Sequence, residues 1–391
     1  MESLFNSTMN YSHSNTTDFC DDDSTLLDLR FASEDTLTEY FYSQQDRLIT
    51  LVFYPISFVF GLVANISFLL VLFQVPDMRT ITNAYLGNLA FADIVSTCSM
   101  NYLILLSYLK SPQVKSKAYT SSLECAINSN VDWTSHLASI ALVLIMSVER
   151  YLGICKPLYH RRIITKGRTV KLIIFAWIFG LTYSCVFVAP RYYVLAKTCV
   201  LWPTDTFYEN VPRVIHSLYP LHPLYKYWSN IWQAIPFTLA MIATVVMYVL
   251  IIKTLSKRIS QFDEGNNQGR QISKDRDNVA RLLIANGTVF FLANVPYYVT
   301  RINNALLAIT DNQVGYQMTP QQFGALYRVA VCLLTLNSCI NSVIYNLTNQ
   351  RYRRAFVHVF TCRSFARKTP KNKSHLSKPR RQSATDNISN I

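Results

Sequence analysis

The chain has 391 residues, 50% of them hydrophobic and 13% aromatic but only 15% charged, with a formal net charge of +14. Its apolar residues gather in long blocks, a pattern that excludes an ordinary soluble enzyme. Its cations cluster toward the carboxyl terminus, so the charge reads as membrane orientation. A tethered basic tail faces anionic lipid or an acidic partner rather than nucleic acid.

Residues 1–47 hold ten Asp or Glu against Arg30 and Arg47. Nothing there resembles the roughly 7 to 15 residue apolar core of a signal peptide, so the first span is expected to target the chain. Asn6, Asn10 and Asn15 each begin an Asn-X-Ser/Thr acceptor for glycans. Seven segments then qualify as membrane spans by hydropathy: 48–73, 81–108, 124–151, 170–189, 227–255, 279–302 and 323–345. An odd count places the two ends on opposite sides. The 46 residues after Tyr345 carry eleven Lys or Arg against Asp386, and the stretch from Lys156 to Lys171 has six cations and no acid. Both are therefore expected in the cytoplasm and the amino terminus outside. Lys110, Lys115 and Lys117 stand on an outer loop against that rule. Of nine cysteines, only Cys20, Cys125 and Cys199 reach the oxidising side.

Polar groups inside a bilayer are costly and face the bundle interior. Here they are Asn65 in the first span, Asp93 in the second, and Asn337 with Asn341 in the seventh. On the third, Asp132, His136, Ser139, Val143 and Arg150 follow spacings of 4, 3, 4 and 7, which keeps them on one inward stripe. Arg150 lies 25 residues beyond Cys125, a helical rise of about 37 Å, so both groups clear a hydrocarbon core of about 30 Å.

With these motifs in order, the chain resembles a rhodopsin-like (class A) G-protein-coupled receptor and is most similar to the neuropeptide-receptor group. Asn65, Asp93, the triplet Glu149-Arg150-Tyr151, the loop Ile154 to Leu158, Trp177, Pro236, Pro296 and the run Asn341 to Tyr345 match the family's motifs. The resemblance implies an all-α seven-helix bundle over 48–345. It is preceded by an extracellular, glycosylated acidic tail (1–47), and followed by an amphipathic inner-leaflet helix (346–360) and a disordered basic cytoplasmic tail (361–391). It implies a Cys125–Cys199 disulfide, which leaves Cys20 without an evident partner. It implies an allosteric sodium ion, the one cofactor-like ligand expected, at Asp93, Ser139, Asn337 and Asn341; the alternative is a hydrated packing cluster. It implies a switch toward a heterotrimeric G protein built from Glu149, Arg150, Tyr151, Leu158, Asn294, Pro296 and Tyr345, with Arg150 pairing Glu149 at rest and the carboxylates of Asp275 and Asp277 as candidate additions.

Three positions depart from the family. Asn294 takes the place of the usual sixth-span tryptophan, Ser342 replaces the seventh-span proline, and Thr244 stands where the fifth span has tyrosine, with Tyr248 one turn later.

The ligand site is expected around Asp132, Trp133, His136, Tyr297, Tyr298 and Arg301 in a plasma-membrane receptor. Asp132 matches the ammonium anchor of amine receptors, or is an aspartate satisfied by Tyr or His136. Thr335, Tyr297 and Tyr298 fit the aminergic pattern poorly. An acidic funnel and the aromatic loop 190–226, with Tyr192, Tyr193, Trp202, Tyr208, Tyr219 and Tyr225, favour an extracellular peptide; a biogenic amine is the alternative. A transporter or intramembrane enzyme is disfavoured, since neither internal repeats nor facing catalytic pairs appear. Receptor kinases and arrestin are expected partners of the tail, with Ser383 a phosphorylation site and Cys362 a palmitoylation site.

Overall fold

The computed structural model describes residues 25–188, 190, 194–222, 224–261, 267–310, 316–348 and 350–361. Asn6, Asn10, Asn15, Cys20, Tyr192, Tyr193, Cys362 and Ser383 lie outside the described residues, as do the side chains of Asp275 and Asp277.

A backbone surrounded by hydrocarbon must satisfy its own hydrogen bonds, and the long apolar segments answer this as helices. After strand β1 (Thr25–Asp28) come two short helices, α1 (Glu34–Thr38) and α2 (Gln44–Leu48). A wide turn over Ile49–Phe53 carries α2 into α3 (Tyr54–Gln74). There follow α4 (Ile81–Lys110), α5 (Ser122–Cys155), the short α6 (Pro157–Ile163) and α7 (Lys166–Tyr183). Strands β2 (Val194–Leu201) and β3 (Val214–Tyr219) precede α8 (Leu224–Gln261), α9 (Asn267–Ile309), α10 (Pro320–Thr348) and α11 (Gln350–Thr361). Six of these, α3, α4, α5, α7, α8 and α10, are long and apolar enough among the described residues to cross a membrane. The seventh expected span lies within the continuous α9.

Tyr85, Leu89, Leu137, Leu142, Phe237 and Phe290 fill the centre of the bundle. Val59, Val63, Ile174, Ile178, Ile242 and Val246 point outward and are exposed, as a lipid-facing surface requires. Helix α7 approaches α5 through Gly180, where an added Cβ would sit 2.7 Å from the Thr134 carbonyl oxygen and 3.2 Å from the Ala138 nitrogen. Backbone cannot yield as a side-chain tip can. Gly180→Val is therefore expected to cost about 1 to 3 kcal/mol by overpacking and to lower both surface delivery and the thermal midpoint in detergent; an unchanged midpoint would refute the close approach.

The tail expected over 1–47 is folded from Thr25 onward. β1 pairs in parallel with β2, Leu26 opposite Cys199, and β2 pairs antiparallel with β3. Loop 190–226 is thus a hairpin extended by an amino-terminal strand. Leu29, Leu37, Val200, Trp202 and Ile215 make a second small core beneath it. The Trp202 ring stacks on Tyr208 at 5.7 Å and meets Tyr40 edge-on at 6.0 Å, while its indole N–H donates to the Pro212 carbonyl at 3.2 Å. We call residues 25–48 the strap. Its capping box at Ser43 and Asp46 fixes the start of α2.

Cys199 is disulfide-bonded, but the expected bridge to Cys125 is not formed. The Cys125 side chain is a buried thiol hydrogen-bonded with Ser129 on its own helix, one turn down α5. At the other end of the bundle, α11 buries Tyr352 and Ala355 and exposes Arg351, Arg353 and Arg354. Tyr352 stacks on Phe68 at 5.0 Å.

Candidate functional site: a deep cavity coupled to a buried arginine

Beneath the strap lies an open cavity of about 1600 Å³, lined by the helices, the strap and the α4–α5 connection. Helix periodicity brings Asp132, Trp133 and His136 of α5 to its wall, with Tyr297 and Arg301 of α9 opposite. Asp132 takes one described hydrogen bond, donated by Ser96 at 3.3 Å, so neither a Tyr nor His136 satisfies it. Tyr298 is the expected ligand residue that does not line the cavity. It is fully buried behind His136, hydrogen-bonded to its Nε2 at 2.6 Å and stacked on Phe237 at 4.0 Å, and so fixes the imidazole's orientation. Arg301 donates to the Tyr297 hydroxyl at 2.6 Å and to Asn230 at 3.4 Å while lying 4.7 Å over the Tyr297 ring. Aromatic stacking and hydrogen bonds hold the guanidinium flat against the wall.

Deeper in the bundle, the Asn341 amide donates to Asp93 at 2.9 Å, and the Ser342 hydroxyl donates to Asn65 at 2.6 Å. Asn65 in turn donates to the carbonyls of Gly61 and Ser338, each at 2.9 Å. This ties α3, α4 and α10 into one polar knot. Ser139 and Asn337 are buried too, and the Asn337 side-chain oxygen has no hydrogen-bond partner among the described residues.

At the far end, Arg150 donates to the Thr82 hydroxyl, and its Nε has no described partner. The expected Glu149–Arg150 pairing is replaced by another. Glu149 is held by His160 at 3.0 Å and Arg168 at 3.8 Å. Adjacent residues point about 100° apart on a helix, so Glu149 faces the loop cations while Arg150 faces the interior. Leu158 on α6 is 77% exposed, an apolar side chain offered to a partner.

A sequence model described as 7 transmembrane receptor (rhodopsin family) matches residues 64–345. The chain belongs to that family. It is 25% identical to the thyrotropin-releasing hormone receptor of Gallus gallus over 363 residues, covering 86% of this chain and 85% of that protein. It is 25% identical to the neuromedin U receptor homolog nmur-2 of Caenorhabditis elegans over 346 residues, 82% and 81% of the two chains. To the tachykinin-like peptides receptor 86C of Drosophila melanogaster it is 26% identical over 302 residues, 73% and 53%. This rhodopsin-family chain is thus a multi-pass membrane receptor and not an enzyme.

Each departure from the family pattern has a local structural account. Ser342 leaves α10 helical through Thr348 and spends its hydroxyl on Asn65. Tyr248 reaches inward to Ser147 at 3.1 Å, and it fits because Gly287 lacks a side chain; a Cβ there would overlap its hydroxyl. Asn294 is fully buried and donates to the Phe290 carbonyl at 2.6 Å, folding its amide back on its own helix.

Two cations at the cavity escaped sequence reasoning. Arg328 of α10 pairs with Asp46 at 3.3 Å and donates to Gln45 at 3.2 Å, latching the strap to the bundle. A charge inside the apolar seventh span was its available signal. Lys117 lines the cavity from the α4–α5 connection, where sequence showed it only as an exception to the charge rule.

Since Glu149 is engaged by the loop, His160→Ala is expected to release its carboxylate toward Arg150. Agonist-independent nucleotide exchange in membranes should fall about two- to fivefold, the scale of one lost hydrogen bond; unchanged or increased exchange would refute this arrangement.

Proposed function

We propose that this chain is a plasma-membrane receptor, amino terminus outside, that binds an extracellular peptide under the strap and activates a heterotrimeric G protein through Arg150. The size of the cavity carries this reading. About 1600 Å³ exceeds the roughly 300 to 1000 Å³ that encloses small ligands, and the amine alternative leaves most of it unfilled. The wall is also bipolar, with Asp35, Glu39 and Asp132 against Lys117 and Arg301, which suits a chain carrying several groups. The names of the relatives, receptors for a releasing hormone, neuromedin U and tachykinin-like peptides, support the same class.

Asp93, Ser139 and the Asn337 oxygen offer a cation an oxygen donor set, and the unpartnered Asn337 oxygen fits an allosteric sodium ion, which when bound would favour the resting state. The basic face of α11 suits anionic lipid, and the cytoplasmic tail is the place for receptor kinases and arrestin. The test is G-protein activation in cells challenged with amidated and free-acid peptides beside biogenic amines. Response to peptides supports the reading; response to amines alone overturns it.

A further inference from the structure

Three lysines stand at the end of α4 and in the α4–α5 connection, and two are accounted for. Lys110 donates its ammonium to the Ala118 carbonyl at 3.0 Å. Lys115 caps the Tyr40 ring at 3.7 Å. Lys117 is held differently. Its backbone N–H donates to the His216 carbonyl on β3 at 2.8 Å, between the buried Ser116 and Ala118. The main chain is therefore fixed while the side chain stands accessible in the cavity. No acceptor or carboxylate partner for its ammonium occurs among the described residues. No nearby acid acts on that charge. Asp46 of the strap is itself paired with Arg328.

An accessible cation with no counter-charge among the described residues can take an anion brought by the ligand in a charge-assisted contact. We propose that Lys117 is the anion anchor of the ligand site, receiving a carboxylate of the bound peptide, while Asp132 receives its cationic group. This rests on the peptide reading and specifies the ligand class within it: a peptide with an acidic group as well as a basic one. The carboxylate belongs either to a side chain or to a free carboxyl terminus, and experiment separates these.

Three pools of short Arg-containing peptides would be matched except at two points: Glu with an amidated terminus, Gln with an amidated terminus, and Gln with a free terminus. Each is applied to cells expressing the full chain as wild type, Lys117→Met or Lys117→Arg, with surface amounts measured in parallel and G-protein activation as readout. On wild type, one of the acidic pools should be about tenfold more potent than the Gln-amide pool, the size of one charge-assisted hydrogen bond. Which one it is identifies the source of the carboxylate. Lys117→Met should abolish the preference and Lys117→Arg retain it. Equal potency of the pools on wild type, or a preference that survives Lys117→Met at matched surface amounts, overturns the anchor while leaving the peptide reading standing. Silence of wild type to every pool overturns both.

Discussion

Arg150→Ala is expected to reduce agonist-stimulated nucleotide exchange about a hundredfold, with ligand binding and surface amount largely retained. The loss is the scale of removing one member of a buried, hydrogen-bonded charge contact. Arg150 spends one described bond on Thr82 and leaves Nε unpartnered. It borders a small void with Ser147, Tyr248 and Asn286, and lies within electrostatic range of Tyr345. The Asn286 side-chain oxygen and the Tyr345 hydroxyl are likewise buried without described partners. Each orphaned group costs about 1 to 3 kcal/mol. This end of the bundle thus keeps hydrogen-bonding capacity in reserve among the described residues, which on the proposed function a G-protein segment reaching Arg150 would take up. Alanine removes the principal donor. Binding of a labelled peptide agonist beside guanine-nucleotide exchange measures the two effects separately, and intact exchange would refute the role.

Asp132→Asn should shift peptide potency to about ten- to a hundredfold weaker, because a charge-assisted contact is worth roughly 1.5 to 3 kcal/mol. Its carboxylate lines the cavity and accepts one long described bond from Ser96, so most of its acceptor capacity is open to a ligand. Asparagine keeps the shape and the Ser96 contact but discards the charge. The deficit should consequently vanish for peptides in which the basic residue is replaced by a neutral one of similar size. If neutral analogues lose as much as basic ones, the carboxylate positions the helix and does not touch the ligand.

Residues obeying helix periodicity were legible from sequence, and those placed by loops were not. Asp132, His136, Ser139 and Arg150 share one stripe because their spacings follow the helix period, and the structure keeps them facing inward. Tyr297 and Tyr298 show the limit of that reasoning. Neighbours on a helix diverge by about 100°, so only Tyr297 reaches the cavity. The pairing of Glu149 with His160 and Arg168 depends on where α6 and α7 return, which no local pattern states. The strap was hidden for the same reason. β1 is four residues long and acquires its partner 173 positions later, as the Thr25–Thr198 contact shows, so its pairing is set by the hairpin fold.

The strap also bears on time. Asp35, Glu39, Tyr42 and Gln45 of the strap line the cavity together with the helices, and the Asp46–Arg328 pair ties the strap to α10. An occupant that touches both surfaces adds its own contacts to that tie. Affinity gained in this way is gained in the rate of departure more than in the rate of arrival. Such a receptor integrates: occupancy outlasts the ligand in solution.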